Sequence, residues 1–199
     1  MKINKYIVFL IGKILFSFGI SFGNRSLFGG NSMAILVTGI SKNLPILTYG
    51  TCNLMVGIVE VIIGYICEKK NVTVVSVLAL VLGSYMIDLV NLFILPTNDL
   101  FIRIVFMLLG ILCYCFGLAI EQHASVGYSN YDVFVFGIKK IMKADKYHTA
   151  KWAVDIVFII IGFILGAEVG IGTLSLLLFT GILVEWFREI LKKVIKIND

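Results

Sequence analysis

The chain is poor in charge. Only 15% of its 199 residues are Asp, Glu, Lys or Arg, where a soluble domain carries about 25%. That shortage excludes an ordinary water-soluble surface. Two histidines and four cysteines leave little to bind a metal with. Cys52, Cys67, Cys113 and Cys115 all lie in apolar runs, at spacings that fit neither a zinc site nor a disulfide framework, and they read as small packing residues. A glycine-rich phosphate loop, an HExxH pair and a Ser-His-Asp grammar are all missing. No enzyme activity, cofactor or metal is expected.

What the chain has is hydrophobicity: 59% of residues are apolar and the mean hydropathy is +1.01. The composition is that of an integral membrane protein, all α-helical. A net charge of +5 does not point to nucleic acid, because the cations cluster at the ends of apolar runs, where they anchor helices and set orientation. The first run is not read as a cleaved signal, since Lys13 lies inside it and no small-x-small site follows.

Runs long enough to cross a bilayer, needing about 20 residues each, fall at 5–23, 46–67, 72–95, 101–121, 149–166 and 170–190. Six spans put both termini on one side. Lys2, Lys5, Lys69, Lys70, Lys139, Lys140, Lys143, Lys146, Lys192, Lys193 and Lys196 then share that side, against Arg25, Lys42 and Arg103 on the other. The excess of cations on the inner side predicts cytoplasmic termini.

Sliding the chain along itself by 98 positions exposes a repeat. Gly12 meets Gly110, Gly19 meets Gly117, Gly29 meets Gly127, Gly39 meets Gly137, Gly64 meets Gly162 and Gly83 meets Gly181. Phe18, Ile40, Lys42, Tyr49 and Thr51 also find their own type. A shared apolar bias does not align glycines. The expected organisation is a tandem duplication, 1–98 and 99–199, within one membrane domain. Three spans per copy is an odd number, so the second copy is expected upside down relative to the first, a 3+3 inverted-topology repeat.

Each copy holds a short segment between its first two spans: RSLFGGNSMAILVTGISK, Arg25–Lys42, and HASVGYSNYDVFVFGIKK, His123–Lys140. Glycine comes first, then a helix-capping pair (Asn31-Ser32 or Ser129-Asn130), then a mostly apolar stretch closed by lysine. Each predicts a short helix that is re-entrant, lies flat in the interface or extends a neighbouring span. In the re-entrant reading the two starts face each other, and their free N–H groups favour an anion or a strongly dipolar ligand.

Acids inside apolar runs are costly and are functional-site hypotheses by default. Glu60 is nearest a span centre. Lys13 is its expected cation, the alternative being a protonated, neutral carboxyl. Asp155 can pair with Lys151 four residues before it. Asp88 and Glu185 lie toward span ends, and Glu121-Gln122-His123 makes a small polar cluster. The linker GAEVGIGT offers Gly172 and Thr173 at another helix start. The expected substrate-binding residues are Asn31, Ser32, Glu60, Ser129, Asn130, Asp132, Asp155, Gly172 and Thr173.

The run SVGYSNYDVFVFGIKK, the acid-bearing span after it and GIGTLSLLLFTGILVEWF together resemble the bacterial YitT/YczE/YyaS group of membrane proteins. The matching positions are Ser125, Gly127, Asp132, Asp155, Gly170, Gly172 and Thr173, over roughly 105–190, with a looser match upstream. Tyr131 stands where the group usually has tryptophan before the aspartate. The resemblance implies a multi-spanning protein of the bacterial inner membrane and does not narrow the activity. Transport of a small polar or anionic solute at a midplane site is the leading expectation, with membrane lipid and the solute as partners. The alternatives are a non-transporting regulatory or assembly protein that packs against itself or another membrane protein and, third, a passive channel. No nucleic-acid partner is expected.

Overall fold

A computed structural model describes residues 2–194 and 196–198 of the chain. Among these residues eight α-helices follow one another: α1 (Lys5–Ser26), α2 (Ser32–Asn43), α3 (Tyr49–Glu68), α4 (Val74–Phe93), α5 (Leu100–Ala124), α6 (Asn130–Ile141), α7 (Tyr147–Ile164) and α8 (Ile171–Val194). A 3-10 turn, Lys69–Asn71, joins α3 to α4, and two three-residue strands, β1 (Lys2–Asn4) and β2 (Lys196–Asn198), pair in parallel. Among the described residues five helices, α1, α3, α4, α5 and α7, are long and apolar enough to cross a membrane. Large apolar side chains such as Ile62, Leu92, Phe101 and Ile160 stand exposed on them, as on a surface that lipid solvates. The sixth expected span, 170–190, is α8, whose C-terminal part carries Glu185, Arg188, Glu189, Lys192 and Lys193.

The helix pattern recurs at the 98-residue offset. Short α2 begins at Ser32 and α6 at Asn130; they end at Asn43 and Ile141, and the next helices open at Tyr49 and Tyr147. The first long helix of each half stops on a non-glycine residue with positive φ, Leu27 at 58° and Ser125 at 50°. Such a conformation is uncommon outside glycine, so its presence at equivalent positions marks equivalent chain reversals. The starts are written in local chemistry. Ser129 accepts from the Asp132 amide, Thr48 from that of Thr51 and Asp99 from that of Ile102, which satisfies N–H groups a helix start leaves without partners.

The chain folds as two compact units, each drawing on both halves of the sequence. The first takes residues 1–31, 86–126 and 168–199. Its centre is the crossing of α1 and α5. An added Cβ on Gly12 would meet Glu121, one on Gly19 Tyr114, one on Gly110 Gly23, and one on Gly117 Phe16. The α5 number falls as the α1 number rises, so these two equivalent helices pack antiparallel. Replacing each residue by its counterpart 98 positions away returns the same contacts. Lipid gives apolar helices little reason to associate, and small residues that let backbones approach supply the packing instead. Helix α8 lies along α5, with Phe116 against Phe187 and Val8, Ala119, Leu176 and Leu191 in one buried cluster.

The second unit takes 32–85 and 127–167. Here α2 packs on α7 and α6 on α3. A Cβ on Gly39 would meet Gly162, and its counterpart on Gly137 would meet Gly64. Each short helix runs in the same direction as its long neighbour. Ser32 lies at Asp155 and Lys42 at Gly166; Asn130 lies at Glu60 and Lys140 at Cys67. The two lysines donate to carbonyls at the C-terminal ends of α7 and α3, at 2.9 and 2.6 Å, where a cation also suits the helix dipole. Both short helices therefore begin beside the middle of a long helix and travel to its end, twelve residues or about 16 Å of rise for α2.

Candidate functional site

The first turns of α2 and α6 meet in the second unit. Tyr131 lies near Phe158 and Phe136 near Tyr147, so α6 runs opposite to α7 and hence opposite to α2. The two short helices approach from opposite ends and converge on the acids of their long neighbours. Asp155 of α7, 2% exposed, receives three donors. The Ser32 hydroxyl and the Tyr131 hydroxyl both reach Oδ1, the latter at 2.5 Å, and Lys151 Nζ reaches Oδ2 at 2.5 Å. Glu60 of α3, 1% exposed, accepts from Asn130 Nδ2 at 2.5 Å. The Asn130 amide also touches the Met33 sulfur at 4.0 Å, which ties the start of α6 to the start of α2.

These contacts have a common logic. A helix start presents N–H groups and partial positive charge. A carboxylate beside it suits that charge, and the buried carboxylates take their hydrogen bonds from side chains at the helix starts, Ser32 and Asn130. The acids and the short helices thus stabilise one another in a setting where either alone is expensive.

Of the predicted site residues, Ser32, Glu60, Asn130 and Asp155 come together in this cluster. Ser129 and Asp132 sit one step aside. Ser129 caps α6 and donates to Asp132 Oδ2 at 2.8 Å, and Asp132 Oδ1 accepts from the Tyr147 hydroxyl at 2.5 Å. That pair fastens the start of α6 to the start of α7. Asn31, Gly172 and Thr173 belong to the first unit. The Gly172 N–H donates to the Phe28 carbonyl at 2.9 Å. Gly29, with φ of 88°, lies so close to Thr173 that an added Cβ would collide with its hydroxyl. The glycines of GAEVGIGT serve a tight backbone seam between the loop at 28–29 and the start of α8.

Lys13 is not the cation of Glu60. It pairs with Glu121 of α5 at 3.0 Å, both side chains under 8% exposed, and lies 4.7 Å from the Phe16 ring. The antiparallel glycine-lined crossing sets Gly12 against Glu121 and so brings Lys13 within reach. The expected pair of Lys151 with Asp155 is formed. Tyr131, Tyr147 and Met33 were not among the expected site residues. Tyr131 had a signal: it holds the place of the tryptophan that the resembling group carries before its aspartate.

Long apolar helices, buried acids held by donors from neighbouring helices and lipid-facing apolar surfaces define a helical membrane protein. The chain belongs to the family of unknown function DUF6198, which matches residues 3–189. It is similar to "Uncharacterized protein YyaS" of Bacillus subtilis, 23% identical over 192 residues, which are 95% of this chain and 94% of that one. It is also similar to an "Uncharacterized protein" of Haemophilus influenzae, 30% identical over 103 residues. That match covers 50% of this chain and 45% of the relative, so the chain spans about half that protein's length. The likeness to YyaS agrees with the resemblance carried by residues 105–190. No solved structure matches the chain.

Proposed function

We propose that the protein moves a small polar solute across the bacterial cytoplasmic membrane, through a site formed where α2 and α6 begin. The observation that carries this reading is the convergence of two oppositely directed half-length helices on Asp155 and Glu60. Broken or half-length helices meeting near the middle of a bundle are the usual way transporters build a binding site. Ionisable groups held there, rather than at a headgroup level, are costly unless they work. The starts of both short helices already face the chain's own carboxylates. That arrangement favours a solute with donor groups, cationic or neutral, over an anion.

The six-span inverted arrangement belongs to the same proposal. Its support in the first unit is that α8 matches the whole length of α1. Phe28, just past α1, bonds Gly172 at the start of α8, and β1 ahead of α1 pairs with β2 after α8. If α1 crosses, α8 crosses with it, and both termini lie on one side. The antiparallel packing of α1 and α5 is what equivalent helices of an inverted repeat would adopt. The lysine distribution supports cytoplasmic termini.

The test is uptake into proteoliposomes that enclose a pH indicator. Methylammonium, ethanolamine and glycine serve as external probes, with Asp155→Asn beside the unsubstituted protein. Probe-dependent movement that Asp155→Asn abolishes supports transport through this site. A protein that folds, binds none of the probes and moves none leaves the non-transporting partner reading in its place.

A further inference from the structure

The two buried acids differ in kind. Asp155 is surrounded by donors, one of them a cation. Glu60 has one donor, the neutral Asn130 amide, on Oε2. Its Oε1 is buried and has no hydrogen-bond partner among the described residues. Among the described residues no cationic side chain bonds Glu60; the start of α6 offers it only the partial charge of a helix end. Helix α6 carries a second acid, Asp132, two residues past Asn130. Helix α2 presents Met33, and its lysine, Lys42, is at the far end on Gly166. The part of α4 in the same unit, 74–85, contains no charged residue. On α3 itself the other charged residue is Glu68, about two turns further along. Lys151 of α7 is held by Asp155. An ionised carboxylate with no cation beside it is costly in a membrane interior. A neutral carboxylic acid needs no counter-ion.

We propose that Glu60 is the proton-binding group of this protein, held as the neutral acid in the closed arrangement, while Asp155 is paired with Lys151. Two carboxyls with opposite surroundings divide the work of proton carrier and fixed charge. On opening, the Glu60 O–H bond breaks and its proton passes to water on the open side. The carboxylate left behind then takes its compensating charge from a cationic solute. This assignment rests on the transport reading for its role as a coupling step, but protonation of Glu60 itself is measurable without transport.

The experiment is infrared difference spectroscopy on the purified full-length chain in detergent, between neutral and alkaline pH, with glutamate or aspartate carboxyls selectively carbon-13 labelled. The expected result is a carboxylic-acid C=O band at neutral pH that is lost on alkalinisation. It should shift with labelled glutamate and not with labelled aspartate, vanish in Glu60→Gln and persist in Asp155→Asn. The labelling arm stands even where a variant fails to fold. Absence of an acid band at neutral pH overturns the proposal, as does a band that follows aspartate or survives Glu60→Gln. A protein that shows the Glu60 band yet moves no solute keeps the proton site and loses the transport reading. One that moves solute without the band does the reverse.

Discussion

Gly162 of α7 sits so close to Ile35 of α2 that an added Cβ would lie 2.5 Å from the Ile35 carbonyl oxygen. The obstacle is main chain and cannot rotate away. The expected effect of Gly162→Ala is separation of α2 from α7 and a loss of about 1–3 kcal/mol, the usual cost of overpacking. Gly181 of α8 has nothing within 4 Å of the equivalent point. Gly181→Ala should be neutral or slightly stabilising, since alanine holds a helix better. Thermal unfolding in detergent compares the two. Equal effects would mean that the α2–α7 seam is not closely packed.

The Lys13–Glu121 pair makes a second prediction. Removing one member of a buried ion pair strands the other and costs about 3–5 kcal/mol, whereas replacing both by apolar residues is often neutral. Lys13→Met and Glu121→Met should each destabilise strongly, and the double substitution should recover most of the loss. Additive losses, read as unfolding midpoints in detergent, would show that the two side chains do not depend on each other.

At the convergence of α2 and α6 the two acids should respond unequally. Asp155→Asn removes a charge that three donors converge on, among them Lys151. A loss of roughly 1.5–3 kcal/mol follows from the worth of hydrogen bonds to a charged group. Tyr131→Phe deletes one of those donors and should cost about 1 kcal/mol. Glu60→Gln replaces a side chain of the same shape with a neutral one and should leave stability nearly unchanged. The same large loss for Glu60→Gln as for Asp155→Asn would argue that Glu60 is ionised in the folded protein.

Much of this was legible in the chain because it depends on neighbours in sequence. The capping pairs Asn31-Ser32 and Ser129-Asn130 put helix starts at 32 and 130, where they are, because capping uses only adjacent residues. Lys151 and Asp155 meet for a similar reason, being one turn apart. Partners across helices were less legible. Lys13 had Glu60 and Glu121 to choose from, and only the register of the α1–α5 crossing decides between them. Aligned glycines reveal that such a crossing exists; they do not say which residue faces which. Tyr131 reaches Asp155 because α6 runs antiparallel to α7, a relation no local pattern encodes. Gly172 and Thr173 read as a binding turn, since glycine and threonine suit a ligand and a tight backbone seam equally well. In the structure they form the seam.

The last prediction concerns depth and direction. Helix α2 starts at Asp155, midway along α7, and ends where Lys42 meets Gly166 at the end of α7; α6 does the same along α3, from Glu60 to Cys67. Two properties follow if α3 and α7 cross the bilayer. Each short helix has one end near the membrane centre and the other at a surface, and the two surfaces are opposite, because α2 and α6 run in opposite directions. Single cysteines can report both, in a chain whose own Cys52, Cys67, Cys113 and Cys115 have been replaced. A membrane-impermeant thiol reagent should label Lys42→Cys rapidly from outside intact cells. Lys140→Cys should react only after the membrane is made permeable. Ser32→Cys, buried about 15 Å of helix rise from Lys42, should react slowly from either side. Reporter fusions after Pro96 and at the C-terminus, read in the same cells, should lie on opposite sides. Fast labelling of Ser32→Cys at the rate of Lys42→Cys would put α2 flat at the surface. Labelling of both lysine positions from outside would remove the inversion, and with it the convergence of two opposed helix starts at the membrane centre.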